Sequence, residues 1–179
     1  LDQKNFRNYW FETGTPTFLV NILKERNYPI PEIGNLQSDE QIFSIYDIDR
    51  LRPEALLFQT GYISIRDVKD DIYTFEYPNR EVRISFLKFL MYSYIPANGS
   101  DQVLFLKLAG YLRQEDYDAF FGTVTAIFAS IPYSLETKRD EAYFHTLFYL
   151  MVCASGANAA GEVLTCRGRI DLVMEFPDR

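Results

Sequence analysis

Apolar residues recur along the chain with two periods, and the changes of period mark the elements. Thr15-Pro16 has the form of a helix start, with Thr as N-cap and Pro at the first helical position. Phe18, Leu19, Ile22 and Leu23 follow at helical spacing, and the helix should end near Asn27, ahead of Pro29 and Pro31. Residues 28–40 read as loop, and the run Ile42, Phe43, Ile45, Ile48 is too short to assign. Pro53 opens a second helix through Leu56, Leu57 and Phe58, with Gly61 placed to close it in the left-handed conformation. Tyr62–Ile65 and Ile72–Tyr77 then alternate with period two across a polar turn at Asp67–Asp71, which predicts a β-hairpin. Asn79 is positioned to cap a helix carrying Val82, Phe86, Phe89 and Leu90. Helix, hairpin, helix is the order of a winged-helix-like unit.

Ala97-Asn98-Gly99-Ser100 reads as a linker. Beyond it the period is helical throughout. Residues 101–114 carry Val103, Leu104, Leu106, Leu108 and Leu112, and residues 115–130 carry Tyr117, Phe120, Phe121, Val124, Ile127 and Phe128. Both stretches are amphipathic on a 3.6 period. Pro132 ends the second. Thr137 to Asp140 matches a loose capping-box pattern, so a third helix is expected from about Lys138 to Ala154, closed by Gly156. Residues 162–166 and 169–176 read as two strands. The predicted fold class is α+β, mostly helical: a winged-helix-like unit over residues 1–97, then a helical unit over 98–179 ending in two antiparallel strands.

Composition narrows the class. With 47% hydrophobic and 24% charged residues in 179, the chain is globular and long enough to bury a core without disulfides. Aromatics reach 16%, and Phe6, Tyr9, Trp10 and Phe11 form a dense aromatic set that either packs inside or docks on another module. The charge is −7, from 25 acidic and 18 basic residues, so a nucleic-acid footprint would have to be local. Arg66, Lys69, Arg80, Arg83 and Lys88 in and after the hairpin are offset by Asp67, Asp70, Asp71, Glu76 and Glu81, which leaves no net positive patch. Cys153 and Cys166 are too few for a disulfide framework, and Cys153 lies in an apolar run as a buried thiol. No secretory leader is evident, so the expected location is cytoplasmic. Ala142–Gly161 carries no Asp, Glu, Lys or Arg, but its dense apolar part is about half of the ~20 residues a membrane span requires. It reads as a buried core helix, with no membrane partner. The chain begins with Leu1 and ends just after an apolar run; both ends look cut, the alternative being a natural terminus after a final strand.

Candidate chemistry is confined to acids. No GxxxxGK[ST] or GxGxxG occurs, so ATP binding cannot be assigned to these residues. The single histidine, His145, excludes HExxH chemistry. It lies four residues after Glu141, on one helix face. The two form either a surface pair or part of the mouth of a site. Asp171 lies in an apolar strand, where a carboxylate is costly unless paired or metal-bound. If Cys166 and Arg167 form a tight bend, Glu162 falls opposite Asp171. Facing like charges repel, and a divalent cation between them converts the repulsion into binding. The alternative has Glu162 in solvent and Asp171 paired with Arg167 or Arg169.

Several strings resemble a family of predicted AAA-type ATPases fused to a PD-(D/E)XK nuclease-like domain. They are Tyr9-Trp-Phe-Glu-Thr-Gly-Thr-Pro-Thr17, Leu56-Leu-Phe-Gln-Thr-Gly-Tyr-Ile-Ser-Ile65, Tyr77-Pro-Asn-Arg-Glu-Val82, Ile131-Pro-Tyr133, Glu141-Ala-Tyr-Phe-His145 and Gly168-Arg-Ile-Asp171. The resemblance implies the end of the ATPase module followed by an incomplete nuclease-like core. It also implies catalytic roles for Asp171, Glu162 and Glu141, with Mg²⁺ held by Asp171 and Glu162 and nucleic acid as substrate. ATP would bind only in an ATPase core N-terminal to these residues, which would itself be a partner. The family's Glu-x-Lys strand does not follow Asp171, because Glu175 is succeeded by Phe176 and Pro177. The chain alone is therefore expected to be inactive; the alternative is a non-catalytic protein-interaction or DNA-binding module.

Overall fold

The computed structural model describes residues 15–43, 52–95, 101–131, 140–155, 158–165 and 168–175. The linker at 97–100, the aromatic set at 6–11 and the bend at 166–167 lie outside them. The fold is α+β and mostly helical, as the patterning predicts. Helix α1 (Thr15–Glu25) leads through a 3-10 turn (Ile30–Asn35) into strand β1 (Gln37–Ser38) and a second 3-10 turn (Glu40–Phe43). Helix α2 (Pro53–Gln59), strands β2 (Ser64–Lys69) and β3 (Ile72–Glu76), and helix α3 (Arg80–Tyr94) complete the winged-helix-like unit. The antiparallel strand order is β1-β3-β2, so β3 is central and β1 and β2 are the two edges.

Local chemistry sets most boundaries. Asn79 accepts the Val82 N–H at 2.8 Å through Oδ1 and starts α3. Helices α1 and α2 end in the same way. Tyr28 N–H reaches Leu23 O at 2.9 Å past left-handed Asn27 (φ 47°), and Tyr62 N–H reaches Leu57 O at 2.8 Å past Gly61 (φ 78°). Two expectations need correction. The hairpin turn is not the five-residue Asp67–Asp71 segment but Asp70-Asp71 alone, both at positive φ (50° and 61°). Two-residue hairpin loops favour that geometry, and Asp tolerates it. The segment 28–40 is not plain loop: its 3-10 turn buries Ile30 and Ile33, and Gln37–Ser38 pairs with β3. A two-residue strand has no periodicity to reveal it.

The later helices are α4 (Asp101–Arg113), α5 (Tyr117–Ser130) and α6 (Glu141–Ala154), followed by β4 (Asn158–Thr165) and β5 (Gly168–Glu175). Glu115 at φ 58° closes α4, and Asp116 both completes that cap and accepts the Ala119 N–H to start α5. Helix α6 starts at Glu141, not Lys138: Asp140 is extended and accepts the Tyr143 N–H at 3.0 Å, so it is the N-cap. Strand β4 starts four residues before the expected Glu162, because Asn158–Gly161 pair with β5 although their small side chains give no alternation.

One buried core runs from Leu19 and Leu23 of α1 through Phe75, Phe86 and Leu90 to Phe120, Leu147 and Leu150. Helix α3 packs on α6, and Phe86 stacks on Tyr62 with centroids 4.4 Å apart. Burial raises the phenol pKa values of Tyr28, Tyr62, Tyr77, Tyr94 and Tyr149 above their ordinary range, while burial lowers that of the Lys24 ammonium. Above pH 10 the unfolded chain therefore sheds phenolic protons that the folded chain keeps, so stability falls as pH rises. Each fully held phenol contributes a slope of about 1.4 kcal/mol per pH unit; Lys24 opposes this only up to its unfolded value of 10.5. Urea melts between pH 8 and 11 should show flat stability giving way to a steep decline above 10. A flat profile through pH 11 would contradict this burial of the tyrosines.

Candidate functional site

The two strands at the end of the chain carry the acids. The ladder pairs Val163 with Ile170 and Gly161 with Leu172, so position 162 lies opposite position 171. Directly opposed positions of an antiparallel pair share a face of the ladder. The register thus brings Glu162 and Asp171 to neighbouring positions, as the tight-bend reading requires.

Glu141 and His145 come from the first two turns of α6. They line a cavity of about 850 Å³ with Tyr28, Glu32, Tyr94 and Tyr143. Glu141 is exposed and His145 half-buried. Lys24 contacts one of the lining residues: its ammonium donates to Ser93 O and lies 5.1 Å from the Tyr94 ring centroid. Tyr143 donates to Tyr94 O at 3.3 Å and ties α6 to the end of α3. Strand β4 packs on both α6 and the 3-10 turn that supplies Pro31 and Glu32, so Glu162 lies on the strand that adjoins the elements of this cavity. Sequence reading missed the cavity wall at 27–32, because nothing in a Pro-rich loop shows that it will face a helix more than a hundred residues later. Among the described residues, no three His, Cys, Asp or Glu side chains gather to hold a metal ion.

Arg83 is not available as a surface cation. Its guanidinium is half-buried against α6, donating to Cys153 Sγ at 3.8 Å and hydrogen-bonded to Tyr149. Burial lowers its pKa, but Cys153, Tyr149 and Tyr77 more than offset this and the net shift is upward. Cys153 is buried, as expected. The Tyr77 hydroxyl beside this group is buried and makes no hydrogen bond in the structure. The hairpin exposes Arg66 and Lys69 beside Asp67, Asp70 and Asp71, together with apolar Ile65, Val68 and Ile72.

No family model matches the chain, and no solved structure matches it. The chain is 35% identical to an "Uncharacterized protein in vnfD 5′region" of Azotobacter chroococcum mcd 1, an alignment that covers 98% of this chain. The chain spans 36% of that relative's length. No described helix is long and apolar enough to cross a membrane. Of the stretch 142–161 expected to be one buried core helix, only the part up to Ala154 is helix, and Asn158–Gly161 belong to strand β4.

Tyr77→Phe removes a buried hydroxyl that has no partner, and should stabilise the fold by about 1 kcal/mol. Tyr149→Phe breaks the link to Arg83 and should destabilise it by about 1–3 kcal/mol. Chemical denaturation of the two variants checks the pair. Equal losses in both would contradict the hydrogen-bond assignment.

Proposed function

We propose that the chain is the junction of an ATPase–nuclease fusion acting on nucleic acid. Residues 1–97 form the winged-helix-like end of an AAA-type ATPase module, and residues 98–179 open a PD-(D/E)XK nuclease-like domain. The observation that carries this reading is the β4–β5 register, which sets Glu162 opposite Asp171 directly after a helix that starts with Glu141. The helix–strand–strand order is the one the resemblance implies for these acids. The match to a relative nearly three times as long as the matched segment is consistent with one part of a larger protein.

Two acidic residues at opposed positions of a ladder suit Mg²⁺, which takes one or two carboxylates and keeps several waters. Asp171 and Glu162 would hold the ion, and Glu141 would reach the same region from α6. When bound, Mg²⁺ supplies an acidified water and offsets phosphate charge. The acids alone repel a phosphate backbone, so nucleic acid approaches this face only when a cation is present. ATP belongs to a core preceding these residues, since no phosphate-binding loop occurs in them. With neither that core nor a Glu-x-Lys strand, this chain hydrolyses no ATP and cleaves no DNA.

A second reading is a protein-interaction module, favoured by exposed Ile65, Val68 and Ile72 on the hairpin. It is preferred to DNA contact by the wing, because the hairpin's charges cancel and Arg83 is turned into the core.

Mn²⁺, followed by its electron paramagnetic resonance signal, should bind the purified chain. Asp171→Asn and Glu162→Gln should each weaken binding about tenfold or more. Circular dichroism should show both variants folded. Binding unchanged by either substitution contradicts the proposed acid pair; Mg²⁺-dependent cleavage by the chain, abolished in Asp171→Ala, contradicts its inactivity.

A further inference from the structure

Metal-assisted chemistry at Glu162 and Asp171 does not account for the make-up of the cavity between α6 and the first 3-10 turn. Tyr28, Tyr94, Tyr143 and Phe144 line it with rings, and Glu32, Asp140 and Glu141 line it with carboxylates. Its described lining includes no lysine and no arginine. The three acids are exposed, Tyr28, Tyr143 and Phe144 are half-buried, and Tyr94 is buried. Charge therefore lies toward solvent and ring surface lies deeper.

Some of these groups are already committed. Tyr143 donates to Tyr94 O at 3.3 Å, and the Tyr28 hydroxyl is hydrogen-bonded to Glu54. What these two phenols add to the cavity is ring rather than hydroxyl. Asp140 accepts the Tyr143 N–H as the N-cap of α6. Glu32 and Glu141 remain, one from each wall. An aromatic face attracts cations through its quadrupole, and the molecule already shows this at Tyr94, where the Lys24 ammonium lies 5.1 Å from the ring centroid. With Tyr94 so used, Tyr28, Tyr143 and Phe144 are the rings left for a ligand.

We infer that this cavity binds a small organic polycation, an alkyl chain carrying two or more ammonium groups. Its ammonium groups pair with Glu32 and Glu141, and its methylenes and remaining charge lie on the rings. The volume, about 850 Å³, is within the ~300–1,000 Å³ of small-molecule sites. The other ligand classes match less of the lining. A bare divalent cation would leave the rings unused, and no three described His, Cys, Asp or Glu side chains gather to hold one. A phosphate or carboxylate ligand meets like charge. A neutral ligand makes no use of the acids. The net charge of −7 draws a polycation toward the chain, and added salt weakens that attraction. This inference uses Glu141 but neither Glu162 nor Asp171, so it does not rest on the proposed function.

Isothermal titration calorimetry of the 179-residue chain with spermidine tests it. At low salt the expected result is saturable one-to-one binding with a dissociation constant on the order of 10 μM to 1 mM, weakening as salt rises. Butylamine, with one charge, should bind at least about tenfold more weakly. Glu32→Gln and Glu141→Gln, both at exposed positions, should each weaken spermidine about threefold or more. Asp118→Asn, which removes an exposed acid on α5, should leave it unchanged, as should Asp171→Asn. Tyr143→Phe keeps the ring and should bind like the parent, whereas Tyr143→Leu should bind about threefold or more weakly. Circular dichroism shows whether the variants remain folded, and the glutamine variants carry the test if the leucine variant does not. No saturable binding at low salt, equal weakening by Asp118→Asn and Glu141→Gln, or a folded Tyr143→Leu variant that binds as well as Tyr143→Phe would each overturn the inference. Loss of binding in Asp171→Asn would also overturn it, by moving the amine to the proposed metal site.

Discussion

The burial of α6 is the constraint from which the rest of the structure follows. Its residues from Thr146 to Cys153 are nearly all inaccessible, and it packs on α3, α4, β4 and the first 3-10 turn. A helix without a charge from Ala142 to Ala154 can be covered on every side at little cost. That covering fixes both of its ends. The first turn, capped by Asp140, faces the cavity with Glu141 and His145. The last turn hands the chain to β4 and hence sets where the β4–β5 ladder lies.

The contact between α3 and α6 also joins the winged-helix-like unit to the helices that follow. Arg83, Tyr77, Tyr149 and Cys153 form its polar part, set among Phe86, Leu90 and Leu150. A guanidinium placed there is held by the thiol and the phenol, and removing either would leave it less well compensated. The sequence boundary near Asn98 therefore separates two patterns of elements, while the buried core runs across it.

Much of this was legible where a single residue decides a local geometry. Asn79, Pro53 and Gly61 each have one conformational role, and the helices begin or end beside them. The facing of Glu162 and Asp171 followed from placing a two-residue bend between strands, since register is arithmetic once the bend is fixed. What depended on distant partners was not legible. Gln37–Ser38 is a strand because β3 is beside it. The cavity joins residues 27–32 to 140–146. Arg83 read as a surface cation until α6 was placed against it. Position 115 gave no sign that a glutamate would adopt a left-handed backbone to close α4.

The proposed cation site depends on Glu162 and Asp171 occupying opposed positions of the β4–β5 ladder. A slip of one residue would send one of them to the opposite face of the ladder. Nuclear Overhauser contacts in the isotope-labelled chain report that register directly. The expected result is a set of cross-strand backbone contacts linking Val163 with Ile170, Gly161 with Leu172 and, between them, Glu162 with Asp171. Contacts that instead join Glu162 to Ile170 or Leu172 as its opposite residue would contradict it.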